Sequence, residues 1–121
     1  MIIAIDFDGV LVKDAFPEIG AANYDIVSLV KRLCKKPNVE VILWTSRVDG
    51  ALDAALKWCE KQGLEFCAVN ENAPSNRAKY EHLYPNGTRK VYADYYIDDH
   101  NICYDHDKVV GFLSRIDSLR L

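Results

Sequence analysis

The chain has 121 residues, 50% hydrophobic and 27% charged, which suits one domain over residues 1–121 and is too little for two self-sufficient cores. So many apolar and aromatic side chains exclude a mainly disordered chain. With 15 basic against 18 acidic residues the net charge is -3. That excludes nucleic-acid binding through bulk positive charge, though not a local basic patch. No apolar run approaches the roughly 20 residues that span a bilayer. The opening Met1-Ile2-Ile3-Ala4-Ile5-Asp6 lacks a basic segment and meets an acid at once, unlike a secretory signal. The expected setting is therefore cytoplasmic, with no membrane partner.

Ile2 to Ile5, ended by Asp6, reads as a buried strand. From about Asn23 to Lys36, Ile26, Leu29, Val30 and Leu33 recur on one helical face, and Pro37 closes the segment. Val39 to Trp44 is a second, β-branched strand. Asp49 stands where a helix cap belongs, Leu52, Ala55, Leu56 and Cys59 line the helix that follows, and Gly63 sits at its C-terminal stop. Phe66 to Val69 is a third strand. Ser75 is placed to cap a short helix through Leu83, and Tyr84-Pro85-Asn86-Gly87 reads as a turn. Val91 to Ile97 is a fourth strand, and the segment from Val109 to Leu119 is a last helix, with a short edge strand before it as the alternative. Alternating strands and helices predict an α/β class fold, a three-layer α/β/α sandwich on a mainly parallel Rossmann-like sheet. Cys34, Cys59, Cys67 and Cys103 lack CxxC spacing and read as reduced core residues. His100, Cys103 and His106 are three apart, but three such ligands without a fourth fall short of a zinc site.

Ligands of such sheets bind at the carboxyl ends of the strands. Asp6, Asp8 and Gly9 follow the first strand, Thr45, Ser46 and Arg47 the second, and Asn70 and Asn72 the third. Asp98 and Asp99 follow the fourth, with Lys90 just before it. Singly, each has a plain reading as turn, cap, loop or surface charge. Together they gather several carboxylates, a hydroxyl and a lysine at one edge. Clustered carboxylates repel unless a cation sits among them, and hard oxygen ligands suit Mg²⁺.

Asp6-Phe7-Asp8-Gly9-Val10-Leu11 resembles the DxDGx(T/V) first motif of the haloacid dehalogenase-like (HAD) superfamily. Leu43-Trp44-Thr45-Ser46-Arg47 is similar to its second motif, Lys90 to its third-motif lysine and Tyr96-Ile97-Asp98-Asp99 to its fourth. All four stand in the family's order, and the run from Lys90 to Asn101 resembles small capless HAD proteins of bacteria and phages. Val10 replaces the commoner threonine, as in many members.

The resemblance implies a HAD-like sheet and a hydrolase, a Mg²⁺-dependent phosphatase acting on a phosphomonoester through an aspartyl-phosphate. Asp6 is then the nucleophile, which splits one difficult step into two. Asp8 is the acid to the leaving alkoxide and the base for the attacking water. Thr45 binds a phosphoryl oxygen and Lys90 neutralises charge. Mg²⁺ is held by Asp6, by the carbonyl of Asp8 and by Asp98, with Asp99 its neighbour or alternate. The N–H groups of Phe7 and Gly9, with Ser46 and Arg47, complete the substrate contacts. Asp94 reads as a strand residue, the alternative being a partner of Lys90. Tyr92, Tyr95 and Tyr96 read as sheet packing, and Arg77, Lys79 and Arg89 as a solvated face, the alternative being contacts to a polyanionic substrate.

The two places where larger HAD enzymes insert a cap, here Leu11 to Ala22 and Asn70 to Arg89, are too short for a domain. An open site suits a small-molecule phosphate, including a nucleotide, or a nucleic-acid end, and leaves room for a second copy of the chain to cover it. The competing expectation is a phosphoryl-binding or scaffold module that does not turn over. A receiver domain carries its phosphorylated aspartate after the third strand, where this chain has Val69-Asn70. The residue placement therefore favours the HAD pattern.

Overall fold

The computed structural model describes all 121 residues. In chain order the elements are β1 (Ile2–Ile5), α1 (Tyr24–Leu33), β2 (Glu40–Leu43), α2 (Asp49–Lys61), β3 (Ala68–Val69), α3 (Pro74–Tyr80), β4 (Tyr95–Ile97) and α4 (His106–Ser118), with a 3₁₀ turn at Glu81–Leu83. The four strands form one all-parallel sheet in the order β3-β2-β1-β4. Register is set by Ile5 opposite both Leu43 and Ile97, and by Leu43 opposite Val69. The fold is thus the expected α/β, Rossmann-like sheet without a cap domain.

Topology decides which face each helix covers. Right-handed crossovers from β1 to β2 and from β2 to β3 step outward in one direction, so α1 and α2 fall on the same face. The return from β3 to β4 reverses direction and sends α3 to the other. The side chains follow the two-residue period of a strand. Ile3, Ile5, Val41, Leu43 and Ile97 join the main core with Ile26, Leu29, Val30 and Leu33 of α1, Ala55 and Cys59 of α2, and Leu113 and Ile116 of α4. Ile2, Ala4 and Ile42 face the other way, into a smaller core with Ala73, Val91 and Ala93. That second layer is thin, because α3 and the 3₁₀ turn bury no residue of their own.

Several local expectations need correction. Val48, not Asp49, is the N-cap of α2, and Asp49 is its first residue, with φ 52°. Ser75 does not cap α3; Ala73 holds the N-cap position, and the Ser75 hydroxyl and amide instead bond to the Glu40 carboxylate. β3 and β4 are shorter than their apolar runs. Asp94 lies just before β4, and its carboxylate accepts from Ile2 N–H (2.7 Å) and from the Tyr92 hydroxyl (2.8 Å). Tyr95 packs on Phe112, with ring centroids 4.6 Å apart, and the Tyr96 hydroxyl bonds to the Val91 carbonyl, so these tyrosines serve packing as expected. Cys59 is buried but Cys103 is exposed, at φ 64° in the loop after β4. Burial pushes the thiols up, to about 11 at Cys34 and Cys67 and about 12 at Cys59. No helix is long and apolar enough to cross a membrane.

Candidate active site

Parallel pairing brings the strand ends into line. Asp6 N–H continues the ladder to the Ile97 carbonyl, Trp44 N–H to Ile5 and Asn70 N–H to Leu43, all at 2.8–2.9 Å. The residues just past these bonds therefore share one edge. There the carboxylate oxygens of Asp6, Asp98 and Asp99 lie within 4.8 Å of one another. Asp6 Oδ1 accepts from Phe7 N–H at 2.8 Å. Burial, then the Asp98 charge and the hydrogen bond shared with Asp99, push the Asp6 carboxyl up from 3.8 to about 8. One oxygen of Asp99 is buried without a hydrogen-bond partner, as is the hydroxyl of Tyr104. Tyr104 lines one cleft with Gly9 and Asp99, and burial, followed by the charges of Asp99 and Asp6, raises its phenol above its ordinary value.

The turn after β1 closes on itself. The Phe7 carbonyl accepts from the N–H groups of Val10, Leu11 and Val12, and Gly9 N–H donates to the Val12 carbonyl at 2.8 Å. The Phe7 N–H is already held by Asp6 and the Gly9 N–H by Val12, so neither amide expected to meet a phosphate is free. Gly9 has a different role. Its φ is +88°, and a Cβ there would overlap the Asp99 carboxylate. Only glycine lets the turn and the second acidic segment approach so closely.

The other expected residues divide. Thr45 lies past β2, its N–H fixed by the Asn70 side chain (2.8 Å) and its hydroxyl accepting from Arg47 N–H (3.1 Å). Asn70, at φ 54°, was legible as a strand-end residue but not as the group that orients Thr45. Ser46 is exposed. Lys90 forms no salt bridge; its ammonium lies 5.3 Å from the Tyr96 ring centroid. It lines an open groove of about 740 Å³ that also contains Asn70, Arg77 and Lys79. The Asp8 carboxylate does not join the other three. It is gripped by Arg47, Nε to Oδ2 and Nη2 to Oδ1, both at 2.8 Å. Arg47 was expected to touch substrate. It is instead 2% exposed, and the hydrogen bonds to Asp8 raise its pKa above the ordinary guanidinium value. The His106 ring bonds to Asp25 at 2.7 Å, and the His100 ring lies 3.9 Å from Asp99.

The donor set fits a hard divalent cation. Three carboxylates meet at a half-buried edge, no lysine or arginine pairs with any of them, and one buried Asp99 oxygen has no partner.

No protein-family model and no curated protein matches the chain. Among solved structures, a conserved protein from Bacteroides thetaiotaomicron is similar, with a TM-score of 0.76 and 35% identity over 96% of this chain and 91% of that one.

Proposed function

We propose that this chain, which belongs to the same family as the conserved Bacteroides thetaiotaomicron protein, is a Mg²⁺-dependent phosphatase that takes the phosphoryl group of a phosphomonoester onto Asp6. The observation that carries the reading is the meeting of Asp6, Asp98 and Asp99 beyond the strand ends, with Thr45 on the neighbouring strand end. Asp6, Asp98 and Asp99 would hold the cation. When bound, it supplies charge cancellation that lets an anionic nucleophile approach an anionic phosphate.

The protein's own groups do the rest. Asp6, anchored by the ladder bond of its amide and by Phe7 N–H, presents a fixed carboxylate to phosphorus. Thr45, its backbone fixed by Asn70, offers its hydroxyl to a phosphoryl oxygen. Lys90, whose ammonium lies over the Tyr96 ring and not at the acidic cluster, would have to change rotamer to bring its positive charge to the phosphoryl group. Asp8 would give a proton to the alkoxide that leaves as the ester P–O bond breaks, then take one back from the water that hydrolyses the aspartyl-phosphate and frees inorganic phosphate. The capless edge accepts a small phosphate, a nucleotide or a nucleic-acid end.

Phosphate release from p-nitrophenyl phosphate, nucleotides, sugar phosphates and a 3′-phosphorylated oligonucleotide tests this, with Mg²⁺, with EDTA and with Asp6→Asn. The expected result is metal-dependent turnover that Asp6→Asn abolishes. One observation favours a second reading, a phosphoryl-binding module with little turnover. The Asp8 carboxylate and the amides of Phe7 and Gly9 are already engaged within the chain. Absence of turnover across the panel, with Mg²⁺-dependent binding of phosphate, would select it.

A further inference from the structure

Arg47 is the one buried charged side chain of the molecule. A guanidinium has five N–H donors in a planar fork, and here all five are engaged. Nε and one Nη2 proton go to Asp8, the other Nη2 proton to the Glu18 carbonyl (2.8 Å), and the two Nη1 protons to the carbonyls of Pro17 (3.1 Å) and Ala51 (3.2 Å). Its Cζ also lies 5.1 Å from the Phe7 ring centroid and 5.2 Å from that of Phe16. Three stretches of chain thus meet on one group: the turn after β1, the 13–22 segment and the start of α2. A buried ion pair is weak evidence for stability, since apolar residues of similar volume often serve as well. What it gives here is orientation. Both Asp8 oxygens are fixed, yet each keeps a lone pair for a further proton donor.

We propose that Arg47 is a positioning residue, which fixes the Asp8 carboxylate in one orientation and ties it to the 13–22 segment so that the two form a rigid rim of the site. The inference rests on the phosphatase reading, in which Asp8 handles a proton. Lysine cannot replace Arg47 in this role, because an ammonium lacks the fork that grips both oxygens. A catalytic group displaced by about 1 Å can cost roughly 10²-fold in rate.

The test is Arg47→Lys, alone and combined with Asp8→Asn, assayed for Mg²⁺-dependent p-nitrophenyl phosphate hydrolysis alongside thermal melts. In the wild-type background kcat should fall about 10²-fold with KM unchanged and the fold retained. In the Asp8→Asn background the same substitution should cost nothing more, because the group it acts through is gone. A wild-type kcat, or an equal loss in both backgrounds, overturns the proposal. Should Arg47→Lys fail to fold, Phe16→Ala decides. Phe16 is 60% exposed, so its loss spares the fold while removing one ring over the guanidinium. A fall in kcat of about 2- to 5-fold at constant KM is then expected, and an unchanged kcat overturns the role. A wild-type protein that turns over nothing removes the phosphatase reading and this inference with it, a result distinct from turnover indifferent to Arg47.

Discussion

Asp99 packs against the turn after β1 because Gly9 has no side chain. The glycine lies at φ +88° with the Asp99 carboxylate where a side chain would start. Gly9→Ala should therefore strain the turn and push Asp99 outward. The expected loss is more than about 1 kcal/mol in a denaturant melt, together with weaker stabilisation by added Mg²⁺. An unchanged melt and an unchanged Mg²⁺ response would show that the close approach is not needed. At this scale the acidic residues were legible, because a carboxylate just past an apolar run is chemically conspicuous. The engagements of Arg47, Phe7 N–H and Gly9 N–H were not, since a donor's acceptor depends on where the backbone turns. Tyr104 gave no sequence signal at all; the loop after β4 sets it in the same cleft as Gly9 and Asp99.

At the scale of elements, strands and long helices were legible from their apolar periods, and their ends were not. The run from Val91 to Ile97 looked like one strand, but Asp94 interrupts it by bonding sideways to Ile2 N–H and the Tyr92 hydroxyl. Those two bonds hold the Asp94 carboxyl below its ordinary value, the Ile2 amide contributing most. Because the folded value lies below the unfolded one, the stabilisation is whole above the unfolded value of 3.8 and is lost as pH falls through the folded value. Asp94→Asn should accordingly lower stability at neutral pH by about 1 kcal/mol, the modest end for an exposed charged hydrogen bond. The gap between wild type and variant in thermal melts should close in acid. A gap that persists unchanged to low pH would mean that the carboxylate charge plays no part.

Across the whole molecule the layers are unequal. Three helices pack on one face of the sheet, while α3 and the strap leading to β4 thinly cover the other. The fold class was readable from the alternation of elements. The imbalance follows from the strand order, which no local pattern encodes. What unites the molecule is the common strand-end edge, where residues as distant in sequence as Asp6 and Asp99 share a few ångströms. The proposed chemistry of this edge is transfer of a phosphoryl group to Asp6. The direct measurement is mass spectrometry of acid-quenched protein after brief exposure to p-nitrophenyl phosphate and Mg²⁺. One phosphoryl group on the peptide containing Asp6, absent with EDTA and absent in Asp6→Asn, is the predicted result. Turnover that leaves Asp6 unlabelled and survives Asp6→Asn would contradict it.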